Sequence, residues 1–241
     1  MNKYYYDLHI HSCLSPCADD DNTPNNIAGM ASLSGLNIVA LTDHNSTKNC
    51  PAFFEAAKRY GIIPIAGMEL TTAEDIHIVC LFKHLDDAIC FGELIDNRRM
   101  VVKNKPNIFG EQLILDEKDN IIGKEENLLS VATDISVEDL PPIVEEYGGI
   151  CYPAHINRDA NGIIAILGTL PNIPCFNTVE FKGRGKLDEY ISQYNLYEKT
   201  IVFDSDAHYL TDIVDGENYF ELEAEPSDIE GIIDELFEKL R

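Results

Sequence analysis

Short apolar runs recur along this chain, and each runs out into a polar cluster before a helix-spaced pattern begins. Within residues 4–11 the stretch from Tyr6 to His11 alternates between apolar and polar positions, while 37–42, 62–66, 76–82, 149–153 and 201–204 are mostly apolar and 176–180 is mixed, and these patterns predict strands. Helix signals lie between them. Thr23 and Pro24 read as the N-cap and first residue of a helix through Ile27, Met30, Ala31 and Leu33 that stops at Gly35, and Pro51 opens a second that ends near Gly61. Ser227-Asp228-Ile229-Glu230 has a capping-box pattern ahead of an amphipathic C-terminal helix through Ile232, Ile233, Leu236, Phe237 and Leu240. Strands alternating with helices predict parallel neighbours joined by right-handed crossovers. Polar clusters at the ends of many different strands favour a (β/α) barrel, irregular or incomplete, over an open sheet whose site gathers at one switch point.

One stretch breaks the rhythm. From about residue 86 to 139 the chain reads as a helix, an extended piece at 101–106, and two short strands at 113–115 and 120–122 around a polar turn. It is expected to be a hairpin-bearing insertion within a single domain spanning 1–241, either a lid or wall of the substrate pocket or a structural or dimerising excursion.

The polar clusters carry the chemistry. Six of the seven histidines lie in them: Asp7-Leu8-His9-Ile10-His11, Asp43-His44, His77, Ala154-His155 and Asp206-Ala207-His208. In a regular strand Asp7, His9 and His11 share one face, so the two imidazoles form a ready clamp for a cation. Neutral imidazoles with ionised carboxylates suit Zn, Mn or Fe, and their joint placement at strand ends points to one shared metal site. His84 has no such setting and is expected on the surface near a helix start.

Composition narrows the partners. The net charge is −24, so long-range attraction of long nucleic acid or an anionic membrane is disfavoured, whereas divalent ions and nearby arginines could reverse the potential locally for a small anion. Seven scattered cysteines, mostly within apolar runs, read as reduced thiols, and no apolar stretch approaches a bilayer span; both predict a soluble, cytoplasmic protein.

The ordered set Asp7-Leu8-His9-Ile10-His11-Ser12, Thr42-Asp43-His44, Gly67-Met68-Glu69, His77, Pro153-Ala154-His155 and Ser205-Asp206-Ala207-His208 resembles the motifs of the PHP family, named for polymerase and histidinol phosphatase. The resemblance implies a distorted (β/α)7 barrel of mostly parallel strands, two or three divalent metal ions (Zn, Mn or Fe), and phosphoester hydrolysis by a hydroxide bridging two metals. It implies one metal on His9, His11, Glu69 and Asp206, and a second on Glu69, His77 and His155. A third would use His44 and His208 with a residue of the loop after the first strand. There Cys17 stands where one branch of the family has a histidine, with Asp19 and Asp20 as the alternatives. Glu69, Asp206 and His208 are the implied catalytic residues, and Asp7 and Asp43 would orient the imidazoles from behind. Arg158, three residues after His155, and Arg184, between two glycines, are expected to grip the substrate phosphate.

The leading expectation is a metal-dependent phosphoesterase for a small phosphorylated metabolite or nucleotide. The alternatives are a 5′-3′ exonuclease or nucleoside bisphosphate phosphatase, for which a short oligonucleotide would serve as substrate, and a non-catalytic metal-binding regulatory module. A C–N or C–O hydrolase is a further alternative, since amidohydrolase barrels also place His-x-His on a first strand.

Overall fold

The computed structural model describes residues 1–213 and 215–241. Its elements run β1 (Asn2–Ile10), α1 (Pro24–Leu33), β2 (Ile38–Leu41), α2 (Cys50–Tyr60), β3 (Ile63–Thr71), β4 (His77–Phe82), α3 (Leu85–Asp96), α4 (Pro106–Phe109), β5 (Leu113–Leu115) and β6 (Ile121–Lys124). They continue with α5 (Leu140–Glu146), β7 (Gly149–Pro153), α6 (Ile163–Leu167), β8 (Thr178–Phe181), α7 (Leu187–Tyr194), β9 (Thr200–Phe203), β10 (Tyr219–Leu222) and α8 (Ile229–Leu240). Local chemistry sets several ends. Thr23 caps α1 by accepting from Asn26 N–H, and Gly61 closes α2 at φ 72°, a left-handed conformation that glycine adopts without strain.

Six strands form a curled sheet in the order β10-β1-β2-β3-β4-β7, while β8 and β9 pair beside it. The sheet is mixed, which corrects the expectation of mostly parallel neighbours. β1–β2, β2–β3 and β8–β9 are parallel, but β3–β4, β4–β7 and β1–β10 are antiparallel. The cause lies in the connections: residues 72–76 between β3 and β4 are too few for the helical crossover that a parallel pair requires. β3 also runs on past Ala66, so Glu69 sits within a strand rather than beyond its end. Ile156 N–H donates to Glu180 carbonyl at 2.9 Å and His11 N–H to Ala207 carbonyl at 3.0 Å, linking the β8–β9 pair to the ends of β7 and β1.

Strand alternation divides the core in two. Val39, Leu41, Met68, Cys80 and Val179 face the surrounding helices, where they meet Ile27, Phe53, Phe91 and Val144. Tyr4, Tyr6, Leu8, Ala40, Ile65, Val79, Leu81, Tyr152 and Val202 face the inside of the curl. α8 closes one end of that interior with Ile232, Leu236, Phe237 and Leu240, leaving the other end to the polar residues. Its cap is a correction in detail: Asp228 Oδ1 accepts from Gly231 N–H at 3.0 Å, in place of a cap by Ser227.

β1 carries the irregularity that matters. Asp7 pairs with Val39 and Ile10 with Leu41, three steps on one strand against two on the other, so β1 contains a bulge. Tyr4, Tyr6 and Leu8 point inward before it, whereas Ile10 joins the helix-facing core after it. His9 and His11 are thereby turned inward. The segment expected as an insertion is hairpin-bearing, with β5 and β6 antiparallel, and β5 meets the loop after β1: Leu113 N–H donates to Cys13 carbonyl at 2.9 Å. His84 is exposed at the N-cap of α3. Among the described residues, no helix is long and apolar enough to cross a membrane.

Candidate metal centre

Glu69 stands at the centre of the open end. His77 Nδ1 lies 2.8 Å and His155 Nε2 3.0 Å from its Oε1, with His9 Nε2 at 3.3 Å. Its Oε2 is approached by His44 Nδ1 at 2.9 Å and His11 Nε2 at 3.4 Å. Asp206 faces the same group, its Oδ1 3.6 Å from His9 Nε2, 3.4 Å from His11 Nε2 and 3.5 Å from His208 Nδ1. Three sets offer donor atoms within 4.8 Å of one another: His9, His11, Glu69 and Asp206; His44, Glu69 and His77; and His11, His44 and His208.

The tautomers show what this geometry lacks. His9 Nδ1 meets Glu180 Oε2 at 2.8 Å and His11 Nδ1 meets Ser15 Oγ at 2.9 Å. If each Nδ1 carries the proton, the two Nε2 lone pairs face each other at 3.1 Å beside two carboxylates. Glu69 Oε2, Asp206 Oδ1 and His44 Nδ1 are buried without a hydrogen-bond partner. Such a convergence of unpartnered acceptors is costly unless a cation sits among them, so the donor set fits divalent ions of the kind imidazole and carboxylate bind.

Protons and metal ions compete for these positions. Burial disfavours charge on His9 and His44, yet Glu180 and Glu69 at His9, and Glu69 at His44, raise both imidazoles well above the usual range. Burial alone would raise Glu69, but His77, His9 and His44 hold it well below the carboxylate range, and His9 and His11 do the same for Asp206. His77 is lowered, chiefly by burial.

Strand ends and strained turns position these groups. His155 follows β7 at φ 28° and Asp206 follows β9 at φ 47°, left-handed conformations that cost energy in residues other than glycine. Asp43 accepts from Ser12 N–H, Ser12 Oγ–H and Ser15 Oγ–H, each at 2.7 Å, and so reaches His11 through Ser15. Asp7 behaves differently from expectation. Its Oδ1 accepts from His9 N–H at 3.3 Å and Ser205 N–H at 3.2 Å, and it touches no imidazole, because the bulge puts it on the opposite parity from His9. The carboxylate behind His9 is Glu180, which the sequence placed at a strand end without assigning it a role. Its signal was an acidic residue beside Val179 and Phe181 in a strand segment, and the structure buries it fully.

A cavity of about 370 Å³ opens over the cluster, lined by Cys17, His44, Glu69, Asp75, His77, Ser130, Arg158, Asn161, Asp206 and His208. Of Cys17, Asp19 and Asp20, Cys17 is thus the one that lines it. Burial opposes ionisation of its thiol, but His44, with hydrogen bonds from His208 and His44, brings it down to about 5. Asp19 Oδ1 instead accepts from Asp21 N–H at 2.9 Å, and neither Asp19 nor Asp20 lines the cavity. Arg158 Nη1 meets Asp206 Oδ2 at 2.5 Å, and Lys182 Nζ lies 3.5 Å from the same oxygen. Arg184 does not join them: its guanidinium lies 4.1 Å from the Phe203 ring centroid and donates to Asn218 Oδ1 at 2.6 Å. Ser130 is the insertion's contribution to the lining, while Lys103 pairs with Glu126 at the exposed surface.

The family model described as PHP domain matches residues 7–239. Over 87 residues, covering 36% of this chain, the sequence is 34% identical to the DNA polymerase III PolC-type of Thermotoga maritima, and over 79 residues, covering 32%, it is 38% identical to the 5′-3′ exoribonuclease of Haemophilus influenzae. The lesion-specific endonuclease PfuEndoQ of Pyrococcus furiosus has a similar fold, with TM-score 0.65 and 18% identity over 96% of this chain. The matched parts are 6% of the polymerase, 28% of the exoribonuclease and 56% of the endonuclease, so the chain corresponds to a portion of each.

Proposed function

The chain belongs to the PHP domain family, and on that premise we propose that it is a metal-dependent phosphoesterase acting on a small phosphorylated metabolite or nucleotide. One observation carries the reading: a fully buried glutamate with five imidazole nitrogens within 3.4 Å, beside an unpartnered aspartate oxygen. Seven strands, β1 to β4 and β7 to β9, support reading the curled sheet as a distorted (β/α)7 barrel with β10 added at its edge.

His9, His11, Glu69 and Asp206 would hold one divalent ion, and Glu69, His77 and His155 a second. His44 and His208 would hold a third, with Cys17 closing it. Bound there, the ions would supply Lewis acidity and acidify water at neutral pH. The residues do the remainder. Glu69 and Asp206 stay ionised and fix the donor geometry, while Glu180 and Ser15 set the tautomers of His9 and His11. Arg158 exchanges its contact with Asp206 for a substrate phosphate oxygen, as a guanidinium at a cavity wall is suited to do. His208 donates Nδ1–H to Asp206 carbonyl at 2.9 Å, which leaves Nε2 for the third ion or, in a two-ion site, for a proton at the leaving oxygen.

A net charge of −24 supports a small substrate over a polymer. The second reading, an exonuclease acting on short oligonucleotides, is favoured by likeness to the exoribonuclease and the endonuclease. Chelated protein reconstituted with Mn²⁺ or Zn²⁺ and assayed on generic monoesters, diesters and a labelled oligonucleotide separates the two. Metal-dependent monoester turnover that His9→Ala abolishes is the expected result; processive loss of nucleotides from the oligonucleotide would favour the second reading. Metal binding without turnover of any of them would point to a regulatory module.

A further inference from the structure

A second cavity, of about 620 Å³, adjoins the metal centre and is lined by Lys182, Arg184, Phe203, Ser205, Glu217 and Asn218 among others. Lys182 joins the two, since it lines this cavity while its Nζ lies 3.5 Å from Asp206 Oδ2 in the other. Ser205, next to Asp206 in the chain, lies on the same wall.

The wall is built rather than incidental. Asn218 Nδ2–H donates to Phe203 carbonyl at 3.0 Å and Asn218 Oδ1 accepts from Arg184 at 2.6 Å, so one amide ties the strand end to the guanidinium. The clip holds Arg184 over the Phe203 ring, 4.1 Å from its centroid, and because Arg184 is exposed its other face is open to the cavity. Two cations, Lys182 and Arg184, share the lining with two carboxylates, Asp212 and Glu217, and with the buried carboxyl group of Asp204. That balance disfavours a second phosphate and suits a neutral ring bearing N–H donors.

We propose that this cavity binds the non-phosphate portion of the substrate, a nucleobase or comparable planar N–H-bearing heterocycle, stacked on the Phe203–Arg184 platform. The proposal rests on the phosphoesterase reading for the position of the phosphate, but the platform itself needs neither metal nor turnover. Lys182 stands at the threshold between ring and phosphate. Glu217, exposed at the rim, accepts from the ring's N–H groups.

Calorimetric titration of metal-stripped protein with adenosine and cytidine, with ribose and inorganic phosphate as controls, tests the platform directly. Nucleoside binding is expected in the wild type and in His9→Ala, weakened about tenfold or more by Arg184→Ala and not restored by Arg184→Lys, which keeps the charge but loses the plane. Thermal melts check that the variants fold. In the metal-loaded enzyme the preference for a nucleoside monophosphate over phenyl phosphate, as a ratio of kcat/KM, should fall by a similar factor in Arg184→Ala. Absence of nucleoside binding, equal binding by Arg184→Ala, or rescue by Arg184→Lys would overturn the proposal. Arg184-dependent binding of inorganic phosphate in place of nucleoside would also overturn it, assigning the cavity to an anion. Arg184-dependent nucleoside binding in a protein that hydrolyses no ester would uphold the platform while removing the phosphoesterase reading.

Discussion

Single side chains here act through the partners that hold them. Glu180 Oε2 fixes the His9 ring from behind, so Glu180→Gln should lower affinity for the ion held by His9 and His11 about 10- to 100-fold, measured by competition with a chelator. An unchanged affinity would make Glu180 a packing residue only. Asp7 offers a different test. Burial raises it from 3.8 to about 6, against the hydrogen bonds from Ser205 and His9, and its near neighbour Asp204 is raised well above its ordinary value, chiefly by burial and by Glu180. Folding therefore favours the protonated Asp7, and its contribution is full below about pH 4 and lost as pH rises through about 6. In metal-free protein the stability of the wild type relative to Asp7→Asn should fall by at most about 3 kcal/mol between pH 4 and 7, read from denaturant melts. Parallel curves would show that Asp204 alone holds the proton. The ring-bearing residues were legible in the sequence because histidine beside carboxylate at strand ends is a rare pattern. Glu180 carried a weaker signal, an acid between Val179 and Phe181, and the place of Arg184 depended on Asn218, 34 residues away.

Elements place these residues within narrow tolerances. A methyl group on Gly67 would fall 2.8 Å from Thr42 Cγ2 and 2.9 Å from Cys80 carbonyl oxygen, so β2, β3 and β4 meet where glycine alone fits. Gly67→Ala should cost roughly 1–3 kcal/mol and lower Tm by several degrees. It should also weaken metal binding, because Glu69 is two residues along the same strand; a melt shifted without any loss of metal would separate the strand's packing from the site. Most strands and the longer helices could be read from hydrophobic period. Strand direction could not, because a pattern of buried residues is the same in either sense, and only the short β3–β4 connection reveals it. β10 was missed for a related reason: Tyr219 to Leu222 is a short edge strand whose pairing with β1 is its main support.

For the molecule as a whole, protons and divalent ions are rivals for one charge deficit. His9 and His44 hold protons tightly in the metal-free state, so metal uptake must release them and apparent affinity should climb as pH rises. Titrations in buffers of different ionisation enthalpy would count the protons, and an affinity independent of pH would refute this account. Removing the metal should lower Tm, and added salt should recover part of the loss in a chain of net charge −24.

The bulge in β1 gives the amino-terminal strand an unusual kind of information content. Tyr4, Tyr6 and Leu8 keep one phase and His9 and His11 the other, so the position of the metal centre is written in a count of residues as much as in their identities. Were β1 to pair with β2 residue for residue, without the bulge, every histidine would remain in the sequence, yet the pair would turn outward among the helices and Ile10 inward toward Glu69. Evolution in this strand should therefore accept exchanges of letters far more readily than changes of length, and a library of single-residue insertions and deletions set against substitutions would display that asymmetry, with loss of Leu8, which restores plain alternation with both rings inward, as its exception.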